Sequence, residues 1–349
     1  MKKRLLLFPL ALLIATLTVA VAEANTIAND NYLATSRMHH RYTAWNAVQG
    51  HLISGASKAS QGCFGQEECY QTFKGHSQNT WANFIGRDSR YQSSFNRNEW
   101  KLTSSGVQLG MDFFRTCRFQ VGGIFGYEDS TGLNRTTPNY RDRIEGKDYY
   151  VGMYGTYVFR NGADLRTVFG YGWQNHNSER RGTDSRTYVM AFDGNTTELS
   201  LDIGKRQYCR QWSARPSIAV DWYMNQLRGG QEAAFGGGGT NALRYDKTEF
   251  SQLFFRFGSD LQCELGALTL DSGLYYSYDM LGKSLQTGTS RGMLEGSQLG
   301  RSTLSYNLGG SWKVNNKFSV FGGYRGEYAP ESAGKGFVNI GYVGGALRW

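Results

Sequence analysis

The most constraining feature of this chain is a set of short stretches in which apolar and polar residues alternate with a period of two. In one of them Val107, Leu109 and Phe113 point to one side of an extended strand, and glycine or polar residues point to the other. Twelve such stretches lie between positions 80 and 349. A strand with one apolar and one polar face is typical of a transmembrane β-barrel, whose outer face contacts lipid while its inner face contacts water.

The connections between these stretches alternate between short and long. We predict strands at 80–87, 104–114, 118–127, 147–158, 162–176, 195–206, 212–225, 248–260, 265–279, 302–313, 317–327 and 337–349. Tight turns are expected at 116–117, 160–162, 207–211, 262–264 and 314–316, and long polar segments at 88–103, 128–146, 177–194, 226–247, 280–301 and 328–336. This alternation indicates a 12-stranded antiparallel barrel with short periplasmic turns and long external loops. A soluble all-β sandwich is the alternative, and it rarely shows such asymmetry.

The N-terminus reads as a secretory signal peptide over residues 1–24. Three basic residues, 2–4, precede an apolar run from Leu5 to about Val21, and Ala22-Glu23-Ala24 is a small-x-small cleavage site. A retained membrane helix is the alternative. No later run of 18 apolar residues occurs, so we expect the mature chain to cross a membrane only with strands, in the bacterial outer membrane.

Composition supports the same class. The chain has 45 glycines, only 4 prolines, 14% aromatic residues and a net charge of +9. A basic balance is common in nucleic-acid-binding proteins, but the secretory signal and the scatter of the basic residues along the chain argue against such a partner. We expect the charge to suit a lipid surface rich in anionic groups instead.

The polar faces of the predicted strands carry charged residues. Because a charge facing lipid is costly, we predict that these side chains line the lumen. They are Asp112, Asp164, Arg166, Glu198, Asp202, Asp221, Arg256, Asp271, Arg325 and Glu327.

Residues 25–79 differ from the rest of the chain. From about 31 to 54 the apolar residues recur with helical spacing, and a helix of that length spans about 36 Å, enough to run the height of a barrel. The helix also carries basic residues, so that, if it lies in the lumen, opposite charges there would hold it and block conduction. Its key residues are Arg37, Met38, Arg41, Tyr42 and Trp45.

Five cysteines have no metal-binding spacing, so we expect neither a metal nor a cofactor. Cys63 and Cys69 bracket a seven-residue stretch. The alternatives for this pair are a local disulfide and two free thiols. The odd total leaves at least one cysteine free or intermolecular. Cys209 and Cys263 are placed in neighbouring turns about two strand spacings apart, about 10 Å, which is too far for a bond.

Catalysis is disfavoured by the shortage of histidines in the barrel. A barrel hydrolase needs a serine or similar nucleophile beside a histidine with an orienting group. His176 is the only histidine in the predicted strands, and Ser178 is its near neighbour in sequence. Since residues so close in sequence rarely adopt that geometry, we expect no catalytic residues and no enzyme activity.

Five segments resemble the motifs of a known family. Residues 80–86 are similar to its first strand with a tryptophan, 105–112 to its second, 121–127 to its third and 150–157 to its fourth, while 341–349 resembles its aromatic-ended last strand. The chain from 80 to 349 therefore resembles the β-domain of autotransporters, the translocators of type V secretion.

This resemblance implies a 12-stranded barrel with an α-helix in its lumen, an exported passenger, and insertion by the barrel assembly machinery with periplasmic chaperones. It also implies that Val343, Leu347 and Trp349 form the assembly signal. Only about 55 residues separate the cleavage site from the first strand, so we expect a monomeric translocator or anchor with little or no passenger. A passive channel or structural barrel is the alternative, and an outer-membrane hydrolase comes third.

Overall fold

The structure, a computed structural model, describes residues 79–93, 99–116, 118–134, 142–182, 184–237, 241–282, 286–290, 292–295, 301–329 and 334–348. The predicted signal peptide, the predicted helix at 31–54, Cys63, Cys69 and Trp349 lie outside these ranges. Within them, no helix is long and apolar enough to cross a membrane.

Twelve long antiparallel strands form a closed barrel, which confirms the predicted fold class. In chain order they are β1 Asn79–Ser93, β2 Glu99–Arg115, β3 Phe119–Asn134, β4 Arg143–Val158, β5 Ala163–Arg181, β6 Thr187–Lys205, β7 Trp212–Leu227, β8 Thr248–Leu265, β9 Leu268–Asp279, β10 Ser302–Lys313, β11 Phe318–Ala329 and β12 Gly334–Arg348. Each strand pairs with its neighbours in sequence, so every connection is a hairpin.

The first and last strands close the barrel. They pair over fifteen positions without a register shift, from Asn79 opposite Arg348 to Ser93 opposite Gly334. Within this seam the outward side chains are apolar: Phe84 is 65% exposed and sits opposite Val343, which is 56% exposed. A complete ladder removes the open sheet edge that could not be tolerated in lipid.

Burial alternates along the strands as the sequence pattern requires. On β4, Tyr149, Val151, Met153 and Tyr157 point outward and are exposed, whereas the residues between them are more enclosed. Outward aromatic pairs mark both edges of the apolar band: Tyr127–Tyr149, Tyr171–Trp173 and Tyr306–Tyr324 at one edge, and Phe114–Phe119 and Tyr157–Phe159 at the other. Such aromatic girdles lie at the two membrane interfaces of outer-membrane barrels.

Several strands extend beyond the predicted ends. The hairpin of β5 and β6 reaches Arg181 and Thr187, so much of the segment predicted as a loop at 177–194 is strand. These extensions stand above the external girdle, where the outward face contacts water instead of lipid and carries polar residues such as Asn177 and Glu179, so the apolar alternation disappears. The turn predicted at 262–264 lies instead at Gly266-Ala267. Gly266 adopts a φ of +66°, which the residues at 262–264 would adopt only with strain because each has a side chain.

The barrel interior and its external cap as the candidate functional site

Contacts between strands that are not neighbours identify the inner face of the barrel. Arg215 on β7 lies 2.5 Å from Asp164 on β5, and Arg166 on β5 lies 3.7 Å from Asp260 on β8. Strands two or three apart are separated by about 10 Å or more along the wall, so their side chains meet only on the concave side. The face that carries these residues is therefore the lumen wall.

The periplasmic half of this wall holds a cluster of paired charges. Arg215 donates hydrogen bonds to Asp164 and Asp202, and Arg256 donates to Asp221 and approaches Asp202 at 3.3 Å. All five side chains are almost fully buried. Because each guanidinium bridges two carboxylates, the cluster ties the four strands β5 to β8 together on the inner side of the wall.

The remaining predicted lumen charges lie on the same inward side of their strands. Asp112 is fully buried and accepts hydrogen bonds from Asn79, Gln120 and Tyr154 at 2.9, 2.9 and 2.5 Å. Arg325 and Glu327 form an ion pair of 2.9 Å. Glu198 and Asp271 share the inward parity and are half-buried.

Sequence analysis missed several charges on this face. Arg87 lies 3.6 Å from Glu128, and Glu128 is directly opposite Asp148 in the ladder. With Glu198, these residues place three carboxylates and one guanidinium on the external half of the wall; we call these four residues the acidic wall. Arg87 and Asp148 lie at or next to the ends of predicted strands, and Glu128 lies one residue beyond the end of another. The alternation of inward and outward positions, extended by one residue for Glu128, would have identified all three.

Aromatic rings on the inner face lie over glycines of the neighbouring strand. A Cβ on Gly110 would come within 3 Å of the Trp81 indole, and one on Gly122 or Gly126 would meet the ring of Tyr154 or Tyr150. Trp81 also donates a hydrogen bond to the Tyr154 hydroxyl at 3.2 Å. Sequence analysis placed Trp81 in a family motif but gave these glycines no role.

The external loop between β7 and β8 folds into the mouth of the barrel. Leu243 and Tyr245 of this loop pack in an apolar cluster with inward-facing residues of three strands. These residues are Met190 and Phe192 on β6, Leu227 on β7 and Phe250 on β8. We call residues 228–247 the external cap. Because the cap buries Leu243 and Tyr245 against the inner wall, this part of it occupies part of the opening.

A buried ion pair holds the external cap in place. Arg180 on the inner face of β5 donates two hydrogen bonds to Glu232 of the cap, at 3.0 and 2.6 Å, and a third to the carbonyl oxygen of Asn241 at 2.9 Å. Glu232 also accepts from the backbone N–H of Leu243 and the hydroxyl of Tyr245. Both partners are less than 10% exposed, so the interaction is shielded from solvent.

Two further contacts extend the cap sideways. Gly230–Gln231 pairs with Arg244–Tyr245, and Tyr245 pairs with Thr289, which brings the loop between β9 and β10 into the same small sheet. At the tip of the β5–β6 hairpin, Tyr188 donates a hydrogen bond to Asp184 at 2.6 Å, and this bond lowers the pKa of the Asp184 carboxyl. Polar loop composition gave no sign of this arrangement.

The histidine considered for catalysis is buried and lies among inward-facing residues. His176 Nε2 is 3.3 Å from Gln174 and 3.9 Å from Asp148. Ser178 donates to the carbonyl oxygen of Met190, and Ser130 donates to that of Gly146. Both serine hydroxyls are thus engaged by backbone carbonyl oxygens. Among the described residues no group of histidine, cysteine and carboxylate side chains is arranged to hold a metal ion.

The two described cysteines are both free thiols. Cys209 pairs with Trp212 across one ladder of the sheet, and Trp212 pairs with Cys263 across the next. The two cysteines are therefore separated by two strand spacings. Cys263 was predicted in a turn, but it lies inside β8, because that strand continues to Leu265.

A closed barrel of twelve antiparallel strands with a lipid-facing band, a polar lumen and unequal ends is typical of a transmembrane barrel of the bacterial outer membrane. The sequence matches the family model described as "Autotransporter beta-domain" over residues 80–325. The chain therefore belongs to the autotransporter β-domain family, and its location is the bacterial outer membrane. No curated protein matches the sequence.

Solved structures show the same fold. The translocator domain of autotransporter NalP from Neisseria meningitidis matches with a TM-score of 0.63 at 14% identity, over 87% of this chain and 98% of that one. The transport unit of autotransporter AIDA-I from Escherichia coli matches with a TM-score of 0.54 at 15% identity, over 86% and 99%. The β-domain of the Bordetella autotransporter BrkA matches with a TM-score of 0.53 at 18% identity, over 77% and 98%.

Proposed function

We propose that this barrel translocates the short segment 25–79 and then anchors it, with a basic helix at about 31–54 held in the lumen. The observation that supports this most strongly is the acidic wall. Its three carboxylates and one guanidinium face the lumen, while the predicted helix carries Arg37, Arg41 and three histidines and no acidic residue after Asp30. A basic helix is therefore complementary in charge to the external half of the lumen.

Several weak attractions together would hold the helix. A solvated ion pair contributes at most about 1 kcal/mol, so a single pair is not enough. Arg37 and Arg41 are four residues apart and share one side of a helix, which lets both face the acidic wall at once. The remaining apolar face, with Met38, Tyr42 and Trp45, would pack on the aromatic side chains of the inner wall.

The segment that we propose is translocated is short. About 55 residues precede β1 after the predicted cleavage site, and the helix accounts for nearly half of them. The external cap argues against the alternative of a passive channel, because a loop that packs into the mouth through Arg180 and Glu232 narrows the route a solute would take.

Assembly and activity follow from the same architecture. We infer that the barrel assembly machinery and periplasmic chaperones insert the chain through its last strand, where Val343 and Leu347 face lipid and are about half exposed. The closed seam leaves no strand edge for a partner, so a monomer is proposed. We propose no catalytic role for the lumen, since Ser178 and Ser130, the serines near His176, donate their hydroxyls to the backbone carbonyl oxygens of Met190 and Gly146.

An epitope-accessibility experiment tests this proposal. A peptide tag is inserted after Asn25 and probed with antibody on intact cells. A tag after Gly237 in the external cap serves as the accessible control, and a tag after Asn161 in a short turn serves as the periplasmic control. Antibody binding to the Asn25 tag at the level of the cap control supports translocation. Binding to the Asn25 tag only after the outer membrane is permeabilised would contradict it.

A further inference from the structure

The short-turn end of the barrel carries a ring of positive charge. Among the described residues, every short turn except that between β8 and β9 has at least one exposed or half-exposed lysine or arginine, and the only carboxylate not enclosed in the lumen wall is Glu264. We call this ring the basic rim; it consists of Arg118, Arg160, Lys205, Arg210, Lys313, Lys317 and Arg348.

Among the described residues, the opposite end of the barrel carries surface charges of both signs. There Arg143 pairs with Glu145, and Asp88 lies 3.9 Å from Arg90 and 3.6 Å from Lys101. The basic rim is therefore a local feature and not a reflection of the overall charge of the chain. The scatter of these residues along the sequence concealed it, because each hairpin contributes only one or two of them.

Exposed apolar residues fix the depth of the basic rim relative to the membrane. Arg118 precedes Phe119, Arg160 follows Phe159, and Lys313 follows Trp312. The same holds at Lys317 beside Phe318, at Arg348 beside Leu347, and at Arg210 two residues before Trp212. All these apolar neighbours are between 38% and 59% exposed. Aromatic side chains of this kind lie at the membrane–water interface, so their cationic neighbours lie at the depth of the lipid headgroups.

We infer that the basic rim binds the phosphate headgroups of anionic phospholipids in the periplasmic leaflet. The flexible stems of lysine and arginine allow each charge to reach a phosphate while the neighbouring ring remains in the interface. The charges are distributed around the circumference, which fits a lipid annulus better than an acidic protein docked on one side. This inference does not depend on whether residues 25–79 are exported.

Quenching of rim tryptophans by brominated lipid measures this binding. The full-length protein is reconstituted in vesicles of phosphatidylcholine with about one third phosphatidylglycerol, with bromine on either one lipid or the other. Trp212 and Trp312 are 59% and 57% exposed beside the basic rim and report the local lipid. A Trp173→Phe background removes an outward tryptophan of the external girdle.

We expect the two brominated lipids to report that the ratio of phosphatidylglycerol to phosphatidylcholine around the rim is about three- to fivefold higher than the bulk ratio. The variant R118Q/R160Q/K313Q/K317Q should reduce the enrichment nearly to the bulk ratio. The matched control R90Q/R143Q/K147Q/R181Q, which changes four basic residues at the opposite end, should retain it. Heat modifiability on gels verifies that each variant is folded.

A salt titration of the unmodified rim provides a second measurement that does not require the variant to fold. The enrichment should fall as ionic strength rises, because headgroup attraction is screened within about 8 Å at physiological salt. Quenching in proportion to bulk composition in the Trp173→Phe protein would overturn the inference. Equal loss of enrichment in both charge variants would also overturn it, since the effect would then follow total charge and not the rim.

Discussion

The indole of Trp81 on β1 lies over Gly110, the residue directly opposite it on β2. From this position Trp81 donates a hydrogen bond to Tyr154 on β4. Trp81 and Tyr154 belong to a buried cluster with Phe321 of β11. Because Gly110 has no side chain, the Trp81 indole has room to pack there. Through this cluster β1 is joined to β4 on one side and to β11, across the seam, on the other.

Substitution of Gly110 tests this relationship. Gly110→Ala places a Cβ within 3 Å of the indole, so the ring must shift and its hydrogen bond to Tyr154 should weaken. Overpacking of this kind costs about 1–3 kcal/mol, measurable as a lower free energy of unfolding in urea for the refolded protein in lipid vesicles. Gly86→Ala is the matched control, because no atom lies within 4 Å of its added Cβ. Equal effects of the two substitutions would refute the role of Gly110.

The external cap should open when its ion pair is broken. Glu232→Gln removes the carboxylate and leaves the buried Arg180 without its counter-ion, which typically costs about 3–5 kcal/mol. We expect proteinase K added to intact cells to cut within 228–247 in this variant and to leave the original protein intact. Glu179→Gln is the control, since Glu179 is adjacent to Arg180 in sequence but points outward and is exposed. Equal resistance of the Glu232 and Glu179 variants would show that the ion pair does not hold the cap.

The proposed helix should loosen when its charge is reversed. R37E/R41E places two carboxylates opposite the acidic wall, so repulsion replaces attraction and the segment 31–54 should become sensitive to proteinase K. K58E/K74E, which reverses two lysines of the linker outside the predicted helix, should leave that protection unchanged. If R37E/R41E is protected as well as the original chain, charge complementarity is not what retains the segment.

The terminal aromatic residue should matter for insertion. Deletion of Trp349 removes the last residue of an apolar alternation that also contains Val343 and Leu347. We therefore expect less heat-modifiable folded protein in the outer membrane. Trp349→Phe retains an aromatic ring and should insert normally. Normal insertion of the deletion variant would rule out the assembly signal at this residue.

Strands could be predicted from the sequence only where the surroundings of the strand impose a pattern on its residues. Lipid on one side and water on the other forced the alternation seen at Val107 and Leu109, so the twelve strands could be predicted. Above the external girdle the outward face of a strand contacts water instead of lipid and needs no apolar residues, so the extensions at Arg181 and Thr187 left no such trace.

Contacts within the candidate site were harder to predict, because they depend on which strands come together. The alternation of inward and outward positions identified Asp164 and Asp202 as lumen residues. Arg215, which bridges them from near the start of β7, was overlooked. The pairing of Arg180 with Glu232 joins positions 52 residues apart, and only the folded cap brings them together.

Single-channel conductance tests the central claim, that the N-terminal segment occupies the lumen of a translocator barrel. The measurement compares the refolded mature protein with a version that lacks residues 25–79. We predict that the full-length protein is closed or nearly so and that the deletion opens it. A full-length protein that already conducts as much as the deleted one would show that the segment lies outside the pore, and would favour a passive channel.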